Sequence, residues 1–136
     1  MVILIIDYLN PLIKDIMNQN LLIKLTNDCN ISEFYSLEEL GIDNIAFPYK
    51  QALMLVDILR ESHVSILGGD VYLKKGSCIE ISYDNWYCEK GDGELDFYFI
   101  KRSCDIAESY IKNYIRNTIN KPLFSFVLRE NDCSGF

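Results

Sequence analysis

The single histidine, His63, is the residue in this sequence best suited to acid–base chemistry. A Cys–His nucleophile would need a thiol within hydrogen-bond reach and a third group to orient the ring, and Cys78 or Cys104 could supply that thiol. Neither cysteine lies in a nucleophile elbow or another known signature. We therefore favour a histidine that stabilises the C-terminal end of a helix. A different hypothesis gives these residues a function: the protein would be a small enzyme or ligand-binding domain that uses His63 and Asp70.

The tripeptide Gly68-Gly69-Asp70 lies between two apolar runs and has three interpretations. Gly-Gly-Asp loops join two strands in diguanylate cyclases, but here Val71-Tyr72 follows in place of the required acidic and aromatic pair. A phosphate-binding loop would need a following helix with Lys-Ser or Lys-Thr, which is missing. We favour a structural role, in which Gly68 and Gly69 permit a bulge or tight bend and Asp70 binds backbone amides.

The sequence does not indicate a metal site. Asp92, Glu94 and Asp96 alternate beside Gly91 and Gly93, but an EF-hand loop needs about twelve residues with ligands at fixed positions. An exposed acidic turn explains the alternation better. The five cysteines are odd in number and form no CxxC pair, so we expect free thiols in a reducing cytosol. We predict neither a metal nor a cofactor.

The charge balance is acidic, with 20 Asp and Glu residues against 13 Lys and Arg residues and a formal net charge of -7. Binding to nucleic acid depends on Lys and Arg displacing counterions, so this balance argues against a nucleic-acid partner. The acids concentrate in two segments, 28–43 and 84–96. They form either a solvated face that maintains solubility or a docking surface for a basic protein.

Aromatic residues beside the second acidic segment favour the docking surface, because tyrosine and tryptophan often anchor protein interfaces. The predicted anchor is Trp86, and the predicted partner is a protein with a basic surface. We predict that the binding residues are Asp84, Trp86, Glu89, Asp92, Glu94 and Asp96.

Hydrophobic periodicity predicts the elements that position these residues. The run at 2–6 predicts a buried strand or a helix start, and the spacing over 12–25 predicts a helix. A capping box predicts a short helical turn over 36–41. Two clearer helices are predicted, from Pro48 to about His63 and over 103–118.

The pattern changes to the strand period after the first of these two helices. The run 95–100 could also begin the following helix, but Phe-Tyr-Phe-Ile has strong strand preference. The predicted strands are 64–67, 71–73, 78–83, 86–89, 95–100 and 123–128. Together the elements predict a single α+β domain over 1–136, with an antiparallel sheet of about five strands packed against two to four helices. No apolar run approaches the length of a membrane span.

Four segments resemble a family of bacterial immunity proteins encoded beside toxins of polymorphic-toxin and contact-dependent growth inhibition systems. They are Leu40-Gly41-Ile42-Asp43, Phe47-Pro48-Tyr49, Ile66-Leu67-Gly68-Gly69-Asp70-Val71-Tyr72 and Tyr83-Asp84-Asn85-Trp86-Tyr87-Cys88. The resemblance covers about 36–116. It implies a cytoplasmic protein without catalysis that binds and blocks a cognate toxin, and it leaves open the toxin's activity, the interface and the oligomeric state.

Overall fold

The computed structural model describes residues 21–129. Within them, six strands form one antiparallel sheet and three α-helices accompany it, which confirms the predicted α+β class. The first helix, α1, covers 21–28 and overlaps the end of the helix predicted over 12–25. The prediction for 2–6 and the first part of the 12–25 prediction lie outside the described residues.

The sheet is ordered β1-β2-β5-β3-β4, and β6 follows β5 alongside the first half of β3. Strand β4 therefore lies at an edge. A short 3-10 helix between β1 and β2 confirms the helical turn predicted over 36–41. In chain order the elements are β1 (Tyr35–Ser36), the 3-10 helix (Glu38–Leu40), β2 (Ile45–Pro48), α2 (Tyr49–Glu61), β3 (Ser65–Lys75), β4 (Cys78–Tyr87), α3 (Asp96–Arg116), β5 (Lys121–Ser125) and β6 (Val127–Arg129).

Helix α2 has its boundaries close to those predicted. It begins one residue after Pro48, which precedes the helix with φ −61° and ψ 166°. It ends because His63 adopts a left-handed conformation with φ +59°. The amide of Val64 then donates to the Leu59 carbonyl at 2.9 Å, and the amide of His63 donates to the Arg60 carbonyl at 3.3 Å. These two bonds satisfy carbonyls that a helix end otherwise leaves unpaired.

The two faces of the sheet are covered to different extents. Helices α2 and α3 pack on one face and bury most of the core there, including Ala52, Leu55, Val56 and Leu59 of α2. The opposite face has a smaller cluster beneath the 3-10 helix. That smaller cluster consists of Leu37, Ala46, Tyr72, Ile79 and Leu123.

The strand predicted over 95–100 is wrong, because α3 begins at Asp96. Phe99 and Ile100 are buried and continue the apolar stripe of α3 backwards by one turn. A negative side chain such as Asp96 in the first turn of a helix is favoured by the helix dipole. Here helical periodicity outweighs the strand preference of Phe97 and Tyr98, whose side chains are exposed.

The glycine pair does not separate two strands, as the sequence suggested, but lies inside the continuous strand β3. Its pairing with neighbouring strands is irregular on both sides, between Ile66 and Gly68 and between Asp70 and Tyr72. A Cβ atom at Gly69 would lie 1.9 Å from the Ser125 carbonyl oxygen. A Cβ atom at Gly68 would likewise clash with the backbone of β4. The glycines therefore permit close strand packing.

Strand β4 is also longer than predicted. It joins the strand predicted over 78–83 to the start of the one predicted over 86–89 through a bulge, and it ends at Tyr87, so residues 88 and 89 are not in a strand.

We predict that Gly69→Ala lowers the free energy of unfolding by about 2–3 kcal/mol, because the added methyl has no space. Gly91→Ala is the matched control, since its Cβ would meet nothing closer than the Glu94 carboxylate at 3.5 Å. We expect the control to change the free energy by less than about 0.5 kcal/mol. Urea unfolding measures both changes, and equal midpoints for the two variants would contradict this explanation of Gly69.

Candidate functional site: the loop before helix α3

Trp86 lies in the core rather than on the surface. Its side chain is 7% exposed, its ring stacks on Tyr110 at 4.8 Å between centroids, and it meets Phe126 edge-on at 5.8 Å. The indole also covers the bare backbone of Gly69. Trp86 thus joins the sheet to α3, and the structure does not present it as an exposed anchor.

Asp84 lies in the bulge of β4, away from the other predicted carboxylates. One of its oxygens accepts a hydrogen bond from the Tyr114 hydroxyl at 2.8 Å. Burial and this bond to Asp84 raise the pKa of Tyr114 above its ordinary value. Tyr114 lies near the C-terminal end of α3, whereas Asp96 lies in the first turn of that helix. The contact therefore places Asp84 beside the C-terminal half of α3.

The segment 88–95, which we call the acidic loop, is organised around Arg102 of α3. The Arg102 guanidinium donates to both carboxylate oxygens of Glu94 at 2.8 Å and to the Glu89 carbonyl at 2.6 Å. Its third nitrogen lies 3.3 Å from the Cys88 sulfur. One guanidinium therefore holds the beginning and the end of the loop together.

Glu94 is the most constrained carboxylate of the acidic loop. Besides its two bonds from Arg102, it accepts the Gly91 amide proton at 2.8 Å. These bonds favour the charged form and lower the pKa of Glu94 to about 2. The negative charge of Glu94 is therefore paired with Arg102 within the structure.

Asp96 is also paired, at the first turn of α3. Lys90 contacts it at 2.8 Å and Arg129 at 3.1 Å. Lys90, followed by Arg129, lowers the pKa of Asp96 below its ordinary value. The sequence offered no sign that Arg102 and Arg129, which follow the acidic segment, would neutralise two of its members.

Within the acidic loop, Glu89 and Asp92 carry exposed carboxylates without an ion-pair partner among residues 21–129, and Asp84, also exposed, has only the Tyr114 hydroxyl. Of the six predicted residues, the structure brings together Glu89, Asp92, Glu94 and Asp96, while Trp86 is buried and Asp84 is distant.

Three exposed apolar side chains, at the end of the acidic loop and the start of α3, were missed by sequence reasoning. Leu95, Phe97 and Tyr98 are 64%, 66% and 59% exposed, and the Phe97 and Tyr98 rings meet edge-on at 5.4 Å. In a strand, alternate side chains point to opposite faces, so the strand predicted over 95–100 would bury about half of its side chains. A helix that buries Phe99 and Ile100 instead turns Phe97 and Tyr98 outward.

The residues of the enzyme hypothesis do not converge. His63 is exposed at the end of α2, and Asp70 is exposed in the middle of β3, with about 16 Å of strand between residues 65 and 70. Cys78 is exposed at the start of β4, and Cys104 is buried with its sulfur 3.6 Å from the Val64 carbonyl. The structure gives this hypothesis no support.

The Asp70 backbone, rather than its carboxylate, makes the contacts seen at the glycine pair. Its amide donates to the Ser125 hydroxyl at 3.2 Å, and its carbonyl accepts from the same hydroxyl at 3.4 Å.

The described part of the chain contains neither a metal-binding cluster nor a helix able to span a membrane. Between residues 21 and 129, no group of three or more His, Cys, Asp or Glu side chains is arranged to hold a metal ion. Over the same residues, none of the helices combines the length and apolarity needed to cross a bilayer.

Comparison with known proteins identifies the family. The family model described as Immunity protein 40, Imm40, matches residues 36–128. The comparisons with curated proteins and with solved structures gave no match. The Imm40 match extends from β1 to β6 and includes the acidic loop and all of α3. Since it covers well over half of the sequence, the chain belongs to the Imm40 family of immunity proteins.

Proposed function

We propose that this protein is an antitoxin that neutralises a cognate bacterial toxin domain by forming a stoichiometric complex, with no turnover of its own. Membership of an immunity protein family is the observation that carries the proposal. We place the complex in the cytoplasm of the toxin-producing cell. The partner is a protein with a basic surface rather than nucleic acid or a membrane, and the chain acts as a single domain.

The acidic loop is the proposed contact for the basic partner. Glu89 and Asp92 offer exposed carboxylates there, and complementary charge accelerates encounter between proteins. Glu94 and Asp96 are already paired with basic side chains. We therefore assign Glu89 and Asp92 to the partner and Glu94 and Asp96 to the shape of the loop.

Apolar anchors for this contact come from the start of α3. Leu95, Phe97 and Tyr98 are exposed next to the acidic loop, and exposed apolar groups rimmed by polar residues are typical of protein-binding sites. Aromatic side chains at the centre of an interface commonly supply much of its affinity. Phe97 and Tyr98 take the place that the sequence suggested for Trp86.

Arg102 prepares the acidic loop for binding. By holding Glu94 and the Glu89 carbonyl, it fixes the loop before a partner arrives. A loop that is already ordered loses less conformational entropy on association.

The proposal predicts that the toxin encoded beside this gene loses its activity in proportion to the amount of this protein added, reaching full inhibition at equimolar concentration. Native mass spectrometry and titration of toxin activity measure this directly. Persistence of toxin activity at micromolar excess, with no complex detected, would exclude the proposed function. Full inhibition at a small fraction of an equivalent would instead indicate turnover.

We predict that Glu89→Gln combined with Asp92→Asn slows association with the toxin roughly threefold to tenfold at low salt and weakens its salt dependence, with little effect on dissociation. The control is Glu38→Gln combined with Glu39→Gln, which removes the same charge from the exposed 3-10 helix. Stopped-flow measurements at several salt concentrations give the rates. Equal slowing by the control pair would show that net charge, and not the acidic loop, governs encounter.

We predict that Arg102→Met raises the pKa of Glu94 from about 2 toward its ordinary value of 4.5, because the variant removes the principal donors to its carboxylate. NMR titration of the side-chain carboxyl carbon measures this pKa. The depressed pKa stabilises the folded protein above about pH 4.5, and this contribution is lost as the pH falls toward 2.

The control for this titration is Lys101→Met, which removes a cation that pairs with Asp105 instead. Glu94 should titrate as in the wild type there. An unchanged Glu94 pKa in Arg102→Met would show that Arg102 does not organise the loop.

A further inference from the structure

Tyr83 occupies a backbone conformation that is unfavourable for its residue type. It lies in the bulge of β4 with φ +68°, a left-handed region that glycine enters freely and that bulky side chains avoid. Its side chain is 85% exposed, so burial does not repay this cost. Strained residues of this kind cluster at functional sites.

The contacts of the bulge are made by the residues on either side of Tyr83. The Ser82 hydroxyl donates to the Val71 carbonyl and accepts the Asp84 amide proton. The Tyr114 hydroxyl of α3 donates to Asp84. None of these contacts involves the Tyr83 ring, which is exposed to solvent.

The sheet face beyond Tyr83 is open and aromatic. Tyr87 is 76% exposed, and Ile81 and Val127 are also exposed. Val127 pairs with Gly68 on one side of β3, and Tyr87 pairs with the same glycine on the other. The 3-10 helix covers the other half of this face, over Tyr72 and its neighbours, and leaves these side chains uncovered.

This open face continues into the acidic loop. A surface cavity of about 590 Å³ joins the end of β4 to the loop, and its lining residues are Leu67, Tyr87, Cys88, Glu89, Lys90 and Arg129. The exposed Asp70 pairs with Asn85 of β4, which lies two residues from each tyrosine in the chain. Tyrosine rings flanked by carboxylates suit guanidinium and ammonium groups, which stack on aromatic faces.

We propose that Tyr83 and Tyr87 form a second part of the toxin-binding surface and receive basic side chains of the toxin beside Asp70. This inference rests on the proposed function and extends its interface from the acidic loop onto the sheet. The unfavourable conformation of Tyr83 is retained because it presents the ring to the partner.

The test is Tyr83→Gly, measured for both stability and toxin binding. Glycine relieves the left-handed conformation, so we expect the thermal midpoint to stay the same or rise. Toxin affinity should fall at least tenfold, as expected for loss of an interface tyrosine. Tyr83→Phe keeps the ring and should bind nearly as the wild type does.

Ile119→Ser is the matched control, because Ile119 is fully exposed in the turn between α3 and β5. It should leave toxin affinity unchanged. Wild-type affinity in Tyr83→Gly, with the complex otherwise intact, would overturn this inference and leave the proposed function standing. A lower thermal midpoint in Tyr83→Gly would show that the ring supports the fold and would also overturn it. Absence of any wild-type complex would remove the proposed function itself.

Discussion

The packing of the Trp86 indole on the bare backbone of Gly69 is the contact on which the rest of the structure depends. It brings β3, β4 and β5 together where no Cβ fits, and it supports α3 through Tyr110. Among residues 21–129 the indole N–H has no hydrogen-bond partner, so the contacts that the indole makes there are packing contacts. The shape of the ring therefore matters more here than its polarity. Beyond Trp86, the Cys88 amide donates to the Leu67 carbonyl at 2.8 Å, so the acidic loop starts from a fixed point.

The acidic residues that are close together in the sequence are partly neutralised by basic residues that the fold brings to them. The segment 84–96 contains five acids and one lysine, yet Arg102 and Arg129 reach it from α3 and β6. Both come from elements that follow the segment, so sequence proximity gave no indication of either contact. In the acidic loop, the carboxylates of Glu89 and Asp92 stay exposed and without an ion-pair partner among residues 21–129, which is a more specific feature than a diffuse acidic surface.

Local signals predicted the fold class, the helix α2 and the short turn before β2, because each rests on residues close in sequence. The apolar stripe of α2 and the glycine that ends the 3-10 helix are examples. Predictions were wrong where the local structure depends on residues that are distant in the sequence. In the sequence, Gly68 and Gly69 look like the end of a strand. In the structure, atoms of Trp86 and Ser125 occupy the space that Cβ atoms at these positions would need. Phe97 and Tyr98 have strand preference, but burial of Phe99 and Ile100 decides for a helix.

The placement of exposed aromatic residues separates a binding surface from an ordinary surface. Scattered exposed apolar side chains are normal in soluble proteins. Here Tyr83, Tyr87, Phe97 and Tyr98 all lie in the part of the chain that runs from the bulge of β4 through the acidic loop into α3. The same part contributes Trp86 to the core. One segment therefore contributes to the core with Trp86 and carries exposed aromatic side chains on its surface, so the proposed interface would be attached directly to the core.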